Sequence, residues 1–199
     1  IKRSKRVHLQ GWGEPLLHPR FFDFAAAALR VGCNASTTTY GLAVTPENAR
    51  KLVASGMDIT AFSLTGVDAA GNAAREGVPF ERVREGILNL NRAKAEAGRE
   101  FPRVHLAYLM LASQADDAAR LPELMADLDV PVAVVSTLDY IAAPGMENEA
   151  YAPHETEKIE HARSLLLRAS EQAAASGLAI HYSLPGEHGR NDCNEHIQS

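Results

Sequence analysis

The chain has 199 residues, of which 46% are hydrophobic and 23% charged, and this composition can bury one sizeable core as a single domain. Its formal net charge of -5 offers no field that would attract nucleic acid or an anionic membrane, so we expect neither partner. No apolar run approaches the roughly 18 residues that a membrane-spanning helix needs. Because its two cysteines lie far apart in the sequence and suit a reducing compartment, we predict a cytoplasmic protein.

Short β-branched or apolar runs alternate with longer helical stretches, which is the pattern of βα units around a parallel sheet. The predicted strands are 6–10, 34–40, 58–64, 104–110, 130–135 and 178–182, and the predicted helices are 20–31, 46–54, 80–97, 116–128 and 154–175. Thr45 and Pro46 are typical of a helix start, and Gly56 is typical of a helix end. This order fits either a barrel or an open doubly wound sheet, and both place ligands at the carboxyl ends of the strands.

The first of these strand ends carries the turn Gly11-Trp12-Gly13-Glu14-Pro15. Two glycines, and a proline that holds the residue before it extended, would present bare backbone to a ligand. A tight strand-to-helix turn without any function would have the same features. Its position at a strand end that opens a βα unit favours a binding site.

This turn resembles the Gly-Gly-Glu-Pro segment of the radical S-adenosylmethionine (SAM) enzymes. In that family the segment ends the second barrel strand and contacts the ammonium group of SAM. Gly13, Glu14 and Pro15 match it, whereas Trp12 stands where the family more often has glycine. The resemblance implies that Gly13, Glu14 and Pro15 bind SAM. Trp12 either walls the substrate cavity or packs against the protein.

Two further strand ends are similar to family motifs in the same order. Thr39-Tyr40-Gly41 partly matches a Thr-Asn-Gly turn, and Ser63-Leu64-Thr65-Gly66 matches a Ser-Leu-Asp-Gly turn with threonine in place of aspartate. By this resemblance Thr39 and Ser63 also contact SAM, and Tyr40 borders the substrate cavity. The stretch 72–77 is similar to a family segment that ends in arginine and glycine.

The matches cover residues 6–140 and imply an α/β fold, a partial (β/α)6 radical SAM barrel of the TIM type with parallel strands and outer helices. The barrel core is expected over 1–184. In the family, three cysteines spaced C-x3-C-x2-C hold a 4Fe–4S cluster, at which SAM is reductively cleaved to a 5′-deoxyadenosyl radical that abstracts hydrogen from the substrate. Neither cysteine of this chain fits that triad, so we expect the first strand and the cluster loop to lie outside it.

The resemblance therefore predicts a radical SAM oxidoreductase with SAM and a 4Fe–4S cluster as cofactors and an electron donor as partner. The 199 residues alone are expected to be inactive. A peptide is the commonest substrate that the resemblance implies, and the long loop 140–151 is predicted to face it. No catalytic side chain is assigned.

The two cysteines have different predicted environments. Cys33 lies at a helix-to-strand junction, opposite the expected site, and is predicted to be a small buried residue. Cys193 lies in segment 185–199, which is expected to begin a C-terminal extension. It is either the first ligand of an auxiliary iron–sulfur cluster, as in the SPASM and twitch branch of the family, or a surface thiol. His188 and His196 flank it, but their spacing matches no zinc pattern.

Two other functions stay open. An iron-independent barrel lyase or isomerase would use Glu14, His105 or Asp139 as acid and base at the strand ends. A degenerate barrel without catalytic activity would serve as a binding module.

Overall fold

The computed structural model describes residues 4–138 and 145–185. These residues contain six β-strands: β1 (Arg6–His8), β2 (Asn34–Thr39), β3 (Ile59–Leu64), β4 (Arg103–Met110), β5 (Val132–Thr137) and β6 (Ala179–Tyr182). Within the same residues five α-helices connect the strands: α1 (Phe21–Arg30), α2 (Pro46–Ser55), α3 (Phe80–Ala97), α4 (Leu121–Asp127) and α5 (Thr156–Ala175). Each helix lies between two consecutive strands in the sequence, so the predicted βα alternation is confirmed.

The strands of the described residues are all parallel, and they pair in sequential order from β1 at one edge of the sheet to β6 at the other. A doubly wound sheet reverses its strand order near the middle. A barrel keeps its strands in chain order. The observed order therefore decides between the two architectures, in favour of the partial barrel of the TIM type.

The two faces of the sheet have different environments. The pairing aligns one residue from each of five strands, and all five are buried: Thr39, Phe62, Leu106, Ala133 and Ile180. The residues one position earlier are only partly buried: Thr38, Ala61, His105, Val132 and Ala179. Because successive side chains of a strand point to opposite faces, the buried face packs under the helices. We call the other, partly open face the inner face of the barrel.

Local sequence explains the helix ends and their buried faces. α2 begins after Thr45, whose side chain accepts a hydrogen bond from a backbone N–H three residues later. It ends at Gly56, which adopts a left-handed conformation with φ of 77°. α3 buries a stripe at helical spacing that includes Val83, Ile87 and Leu90. Among the helices of the described residues, none combines the length and the apolarity needed to cross a membrane.

Prolines shift two elements from their predicted bounds. The helix predicted over 116–128 is a 3-10 helix over Ala112–Arg120 followed by α4. Pro122 lacks the N–H that a continuous helix would need, so a new helix begins beside it. The strand predicted over 130–135 is β5, which begins later because Pro131 cannot donate to the sheet ladder. β1 is shorter than predicted and ends at His8.

Candidate functional site

Glu14 joins the end of β1 to the end of β2. Its carboxylate accepts hydrogen bonds from the backbone N–H of Leu16 at 3.1 Å and from the hydroxyl of Thr39 at 2.7 Å. It also accepts one from the backbone N–H of Tyr40 at 2.9 Å, and only 9% of the residue is exposed. A carboxylate offers about four acceptor sites, so these three bonds leave one for a ligand.

The backbone around Glu14 explains why its side chain reaches β2. Gly13 has a φ of 96°, which residues with side chains rarely adopt. Pro15 opens a short 3-10 helix over Pro15–Leu17. Glu14, between them, is extended with φ of -95° and ψ of 114°, the conformation predicted from the proline that follows it. The turn therefore places the carboxylate at the carboxyl end of the sheet.

Thr39 supports the Glu14 carboxylate. Its hydroxyl donates to Glu14 and accepts a hydrogen bond from the backbone N–H of Gly41 at 2.9 Å, and the residue is only 1% exposed. Because a hydroxyl has one hydrogen to donate, that donor is already used, and a direct contact of Thr39 with SAM stays a prediction. The neighbouring Tyr40 is partly exposed, and burial, together with the charge of Glu14, raises the pKa of its phenol.

Ser63 lies on the inner face near the end of β3, where Arg75 reaches it from the loop that follows the strand. The Arg75 guanidinium donates a hydrogen bond to the Ser63 hydroxyl oxygen. The hydroxyl keeps its own hydrogen for a ligand. Burial lowers the pKa of Arg75, whereas the negative charge of Glu14 raises it, so these two charged groups are close enough to interact. The guanidinium of an arginine stays protonated in proteins, so Arg75 carries a positive charge.

Glu14, hydrogen-bonded at the end of β2, and Arg75, hydrogen-bonded near the end of β3, bring opposite charges to two neighbouring strands. This arrangement suits a ligand with its own pair of charges, with an ammonium group toward the carboxylate and a carboxylate toward the guanidinium. Arg75 was not among the predicted site residues. Its place in the stretch 72–77 was the signal in the sequence. Without the fold, however, an arginine that reaches a binding site cannot be distinguished from one that faces solvent in a polar loop.

Trp12 is fully exposed, with a relative accessibility of 101%. The prediction that it could pack against the protein is therefore wrong. In the sequence it precedes Glu14 by two residues. A contact with substrate remains a prediction for this side chain, as it does for Tyr40.

Glu14 and His105, two residues of the acid–base alternative, are not brought together in the described part of the chain. His105 lies in the first half of β4, where burial above all, and Arg103 beside it, lower its pKa to about 4. Asp58 forms an ion pair with Arg103 at 2.8 Å, at the opposite end of the sheet from Glu14. Asp139 lies outside the described residues, as do Tyr140 and most of the loop predicted to face substrate. In the described residues His105 therefore does not lie beside Glu14.

The chain does not supply the ligands of a catalytic cluster. An iron–sulfur cluster of this family needs three thiolates, and the sequence has two cysteines. Cys33 is buried next to the start of β2, opposite the site, and its thiol donates to the carbonyl of Ser4 at 3.1 Å. Cys193, His188 and His196 lie outside the described residues. In the part of the chain that the structure describes, no three metal-ligating side chains come together.

No family model matches the chain. Three curated relatives share part of its sequence. The tungsten-containing aldehyde ferredoxin oxidoreductase cofactor-modifying protein of Pyrococcus furiosus is 27% identical over 67% of this chain and 38% of its own length. The PqqA peptide cyclase of Streptomyces rochei is 27% identical over 80% of this chain and 43% of its own length. The AdoMet-dependent heme synthase of Nitratidesulfovibrio vulgaris is 34% identical over 45% of this chain and 24% of its own length. The chain therefore spans less than half the length of these relatives.

Solved structures share the fold at low sequence identity. Streptococcus suis SuiB bound to S-adenosylmethionine matches 88% of this chain and 38% of its own, with a TM-score of 0.67 and 14% identity. SuiB bound to precursor peptide SuiA matches 86% of this chain and 37% of its own, with a TM-score of 0.65 and 14% identity. A domain of pyruvate-formate lyase-activating enzyme from Bacteroides vulgatus matches 91% of this chain and 100% of its own, with a TM-score of 0.62 and 17% identity. The sequence relatives and the shared barrel together confirm the resemblance to the radical SAM family.

Proposed function

We propose that the chain is the SAM-binding barrel of an enzyme that cleaves SAM reductively, at a 4Fe–4S cluster, to a 5′-deoxyadenosyl radical. In this reaction one electron breaks the bond between the sulfur and C5′ of SAM and releases methionine. The radical then takes a hydrogen atom from the substrate and becomes 5′-deoxyadenosine. The observation that carries the proposal is the pair of opposite charges in this barrel: Glu14 is hydrogen-bonded at the end of β2, and Arg75 is hydrogen-bonded near the end of the neighbouring β3.

The methionyl end of SAM is a zwitterion that this pair can hold. Its ammonium group takes the remaining acceptor site of Glu14, and its carboxylate lies toward Arg75. The Ser63 hydroxyl donates its hydrogen to the same ligand. Gly13 and Pro15 border the ligand through their backbone, because neither places a bulky side chain beside Glu14.

We place the cysteines of the catalytic cluster in a part of the protein outside these 199 residues, together with any partners of Cys193 in an auxiliary cluster. The supporting observation is that Cys33 is buried away from the strand ends that carry Glu14 and Ser63. An electron donor is required, because the cleavage consumes one electron for each SAM. The sequence of the full protein tests this directly, since a protein without three closely spaced cysteines could not bind the cluster.

We further propose a peptide substrate. PqqA peptide cyclase is among the relatives, and SuiB has been solved with a precursor peptide on the same fold. The inner face is only partly buried, and small residues such as Thr38 and Ala61 leave room above it. The exposed indole of Trp12, two residues before Glu14 in the sequence, offers an aromatic surface for a side chain of the peptide.

The test uses the full-length protein, reconstituted anaerobically with iron and sulfide and then reduced, with 5′-deoxyadenosine measured by chromatography. We expect the wild-type protein to release 5′-deoxyadenosine from SAM. Ser63→Ala should slow this release by about tenfold through the lost hydrogen bond. Ser176→Ala, an exposed serine after α5, is the matched control and should leave the rate unchanged. A protein with an intact cluster that releases no 5′-deoxyadenosine would refute the proposal and favour a binding module, whereas turnover without iron would favour a lyase or isomerase.

A further inference from the structure

The loop that carries Arg75 spans residues 65–77, and we call it the arginine loop. We propose that Asn72 is a positioning residue that holds Arg75 against Ser63. This inference rests on the proposed binding of SAM. In this proposal the buried Asn72 does not touch the ligand itself. It holds in place the Arg75 guanidinium, which contacts the ligand.

Asn72 closes both ends of the arginine loop through its side chain. Its Oδ1 accepts a hydrogen bond from the backbone N–H of Thr65 at 3.1 Å, at the start of the loop. Its Nδ2 donates to the carbonyl of Val78 at 2.9 Å, just after the loop. The residue is 1% exposed, so these bonds are shielded from water. One amide therefore substitutes for the strand or helix contacts that a loop lacks.

The backbone of Asn72 connects directly to Arg75. The Asn72 carbonyl accepts a hydrogen bond from the Arg75 N–H at 3.0 Å, at the end of a 3-10 turn over Gly71–Ala74. The turn fixes the direction in which the Arg75 side chain leaves the backbone. Any movement of Asn72 is consequently passed to the residue three positions later.

A close backbone contact leaves the arginine loop little freedom beside Asn72. A Cβ placed on Gly66 would lie 2.1 Å from the carbonyl carbon of Gly71, so the two backbone segments touch where neither has a side chain. The loop is thus folded back on itself immediately before Asn72. The hydrogen bonds of the Asn72 side chain therefore stabilise a turn that the backbone contact already makes compact.

The ion pair that ties the loop to Arg120 is exposed and contributes less than the buried bonds of Asn72. Asp68 accepts a hydrogen bond from Arg120 at 2.8 Å, but the two side chains are 41% and 54% exposed. Water and salt screen such pairs, so they hold a loop weakly. Of the two polar ties, the one through Asn72 is therefore the stronger.

Fixing Arg75 matters because an arginine side chain has many rotamers, and a ligand that had to order it would bind less tightly. The hydrogen bond to Ser63 preorganises the guanidinium only if the loop backbone is already in place. Loss of Asn72 should therefore weaken recognition of the SAM carboxylate while leaving the rest of the ligand contacts intact.

A double-mutant cycle tests this coupling by equilibrium dialysis of SAM with the full-length, cluster-loaded protein. We expect Asn72→Ala and Arg75→Gln each to weaken SAM binding by about tenfold, the loss typical of one hydrogen bond to a charged group. The double variant should bind no more weakly than Arg75→Gln. Glu76→Gln, an exposed neighbour in the same loop, is the control and should leave the Kd unchanged.

A second ligand separates positioning from a general loss of structure. With decarboxylated SAM, which lacks the carboxylate, the penalty of Asn72→Ala should disappear. If Asn72→Ala unfolds at the assay temperature, Asn72→Asp replaces it, because it keeps the acceptor for Thr65 and sets an oxygen, which cannot donate, against the Val78 carbonyl. Penalties that add in the double variant, or that persist with decarboxylated SAM, would overturn the inference alone. A wild-type protein that does not bind SAM would overturn the proposed function with it.

Discussion

Replacing Glu14 by glutamine tests whether its carboxylate locks two strand ends together. One carboxylate oxygen accepts from Leu16 and Thr39, and the other accepts from Tyr40. A glutamine amide has only one acceptor oxygen, and its nitrogen can only donate. Whichever way the amide turns, its NH2 group therefore faces a backbone N–H, that of Tyr40 in one orientation and that of Leu16 in the other.

The size of the effect follows from this mismatch. Losing one hydrogen bond to a charged acceptor costs about 1.5–3 kcal/mol. A neutral amide is easier to bury than a carboxylate, which offsets part of that loss. We expect Glu14→Gln to lower the free energy of unfolding by about 2 kcal/mol, which for a chain of about 200 residues lowers the Tm by about 4–8 °C.

Thermal unfolding followed by far-UV circular dichroism measures this shift. Glu76→Gln is the matched control, because it removes the same charge from an exposed residue and should change the free energy of unfolding by no more than about 0.5 kcal/mol. If the Glu14→Gln protein melts together with the wild type and the control, the carboxylate does not join the strand ends.

Two further outcomes are expected from buried groups. The Tyr108 hydroxyl is buried and finds no hydrogen-bond partner among the described residues. Tyr108→Phe should therefore leave the free energy of unfolding, measured in urea, unchanged or raise it by about 1 kcal/mol. A lower urea midpoint would contradict this. His105 has a pKa of about 4 in the fold against 6.5 in the unfolded chain, so unfolding takes up a proton and the wild type should lose stability as the pH falls from 6.5 to 4. His105→Gln should reduce that loss in urea titrations, whereas the exposed His154→Gln should not.

Local chemistry made the helices and strands predictable, but it could not fix their arrangement. Thr45, Pro46 and Gly56 bound α2 through contacts within a few residues, so a sequence pattern captures them. The strand order depends on how crossovers pack over the sheet, and a barrel and a doubly wound sheet share the same local pattern. Only the pairing of each strand with the next one in the chain distinguishes them.

The candidate site likewise contains some residues that the sequence reveals and others that only the fold reveals. Gly13 and Pro15 mark the turn around Glu14 because backbone geometry demands those residue types, and the sequence shows them directly. Asn72 and Arg75 act through side-chain contacts across the arginine loop, which follow no periodicity. Polar residues in a loop look alike in a sequence, whether they close the loop or face water.

The unequal faces of the sheet explain how such a site can coexist with a stable barrel. Parallel sheets are normally buried on both faces, yet here Thr38 and Ala61 on the inner face are small and only partly buried. On the opposite face Phe62 and Leu106 are completely buried, and each such side chain contributes about 1.5–3 kcal/mol by leaving water. The apolar contribution to stability is therefore concentrated under the helices. Residues of the inner face can serve a ligand without carrying the fold, so changes there should alter binding more than the free energy of unfolding.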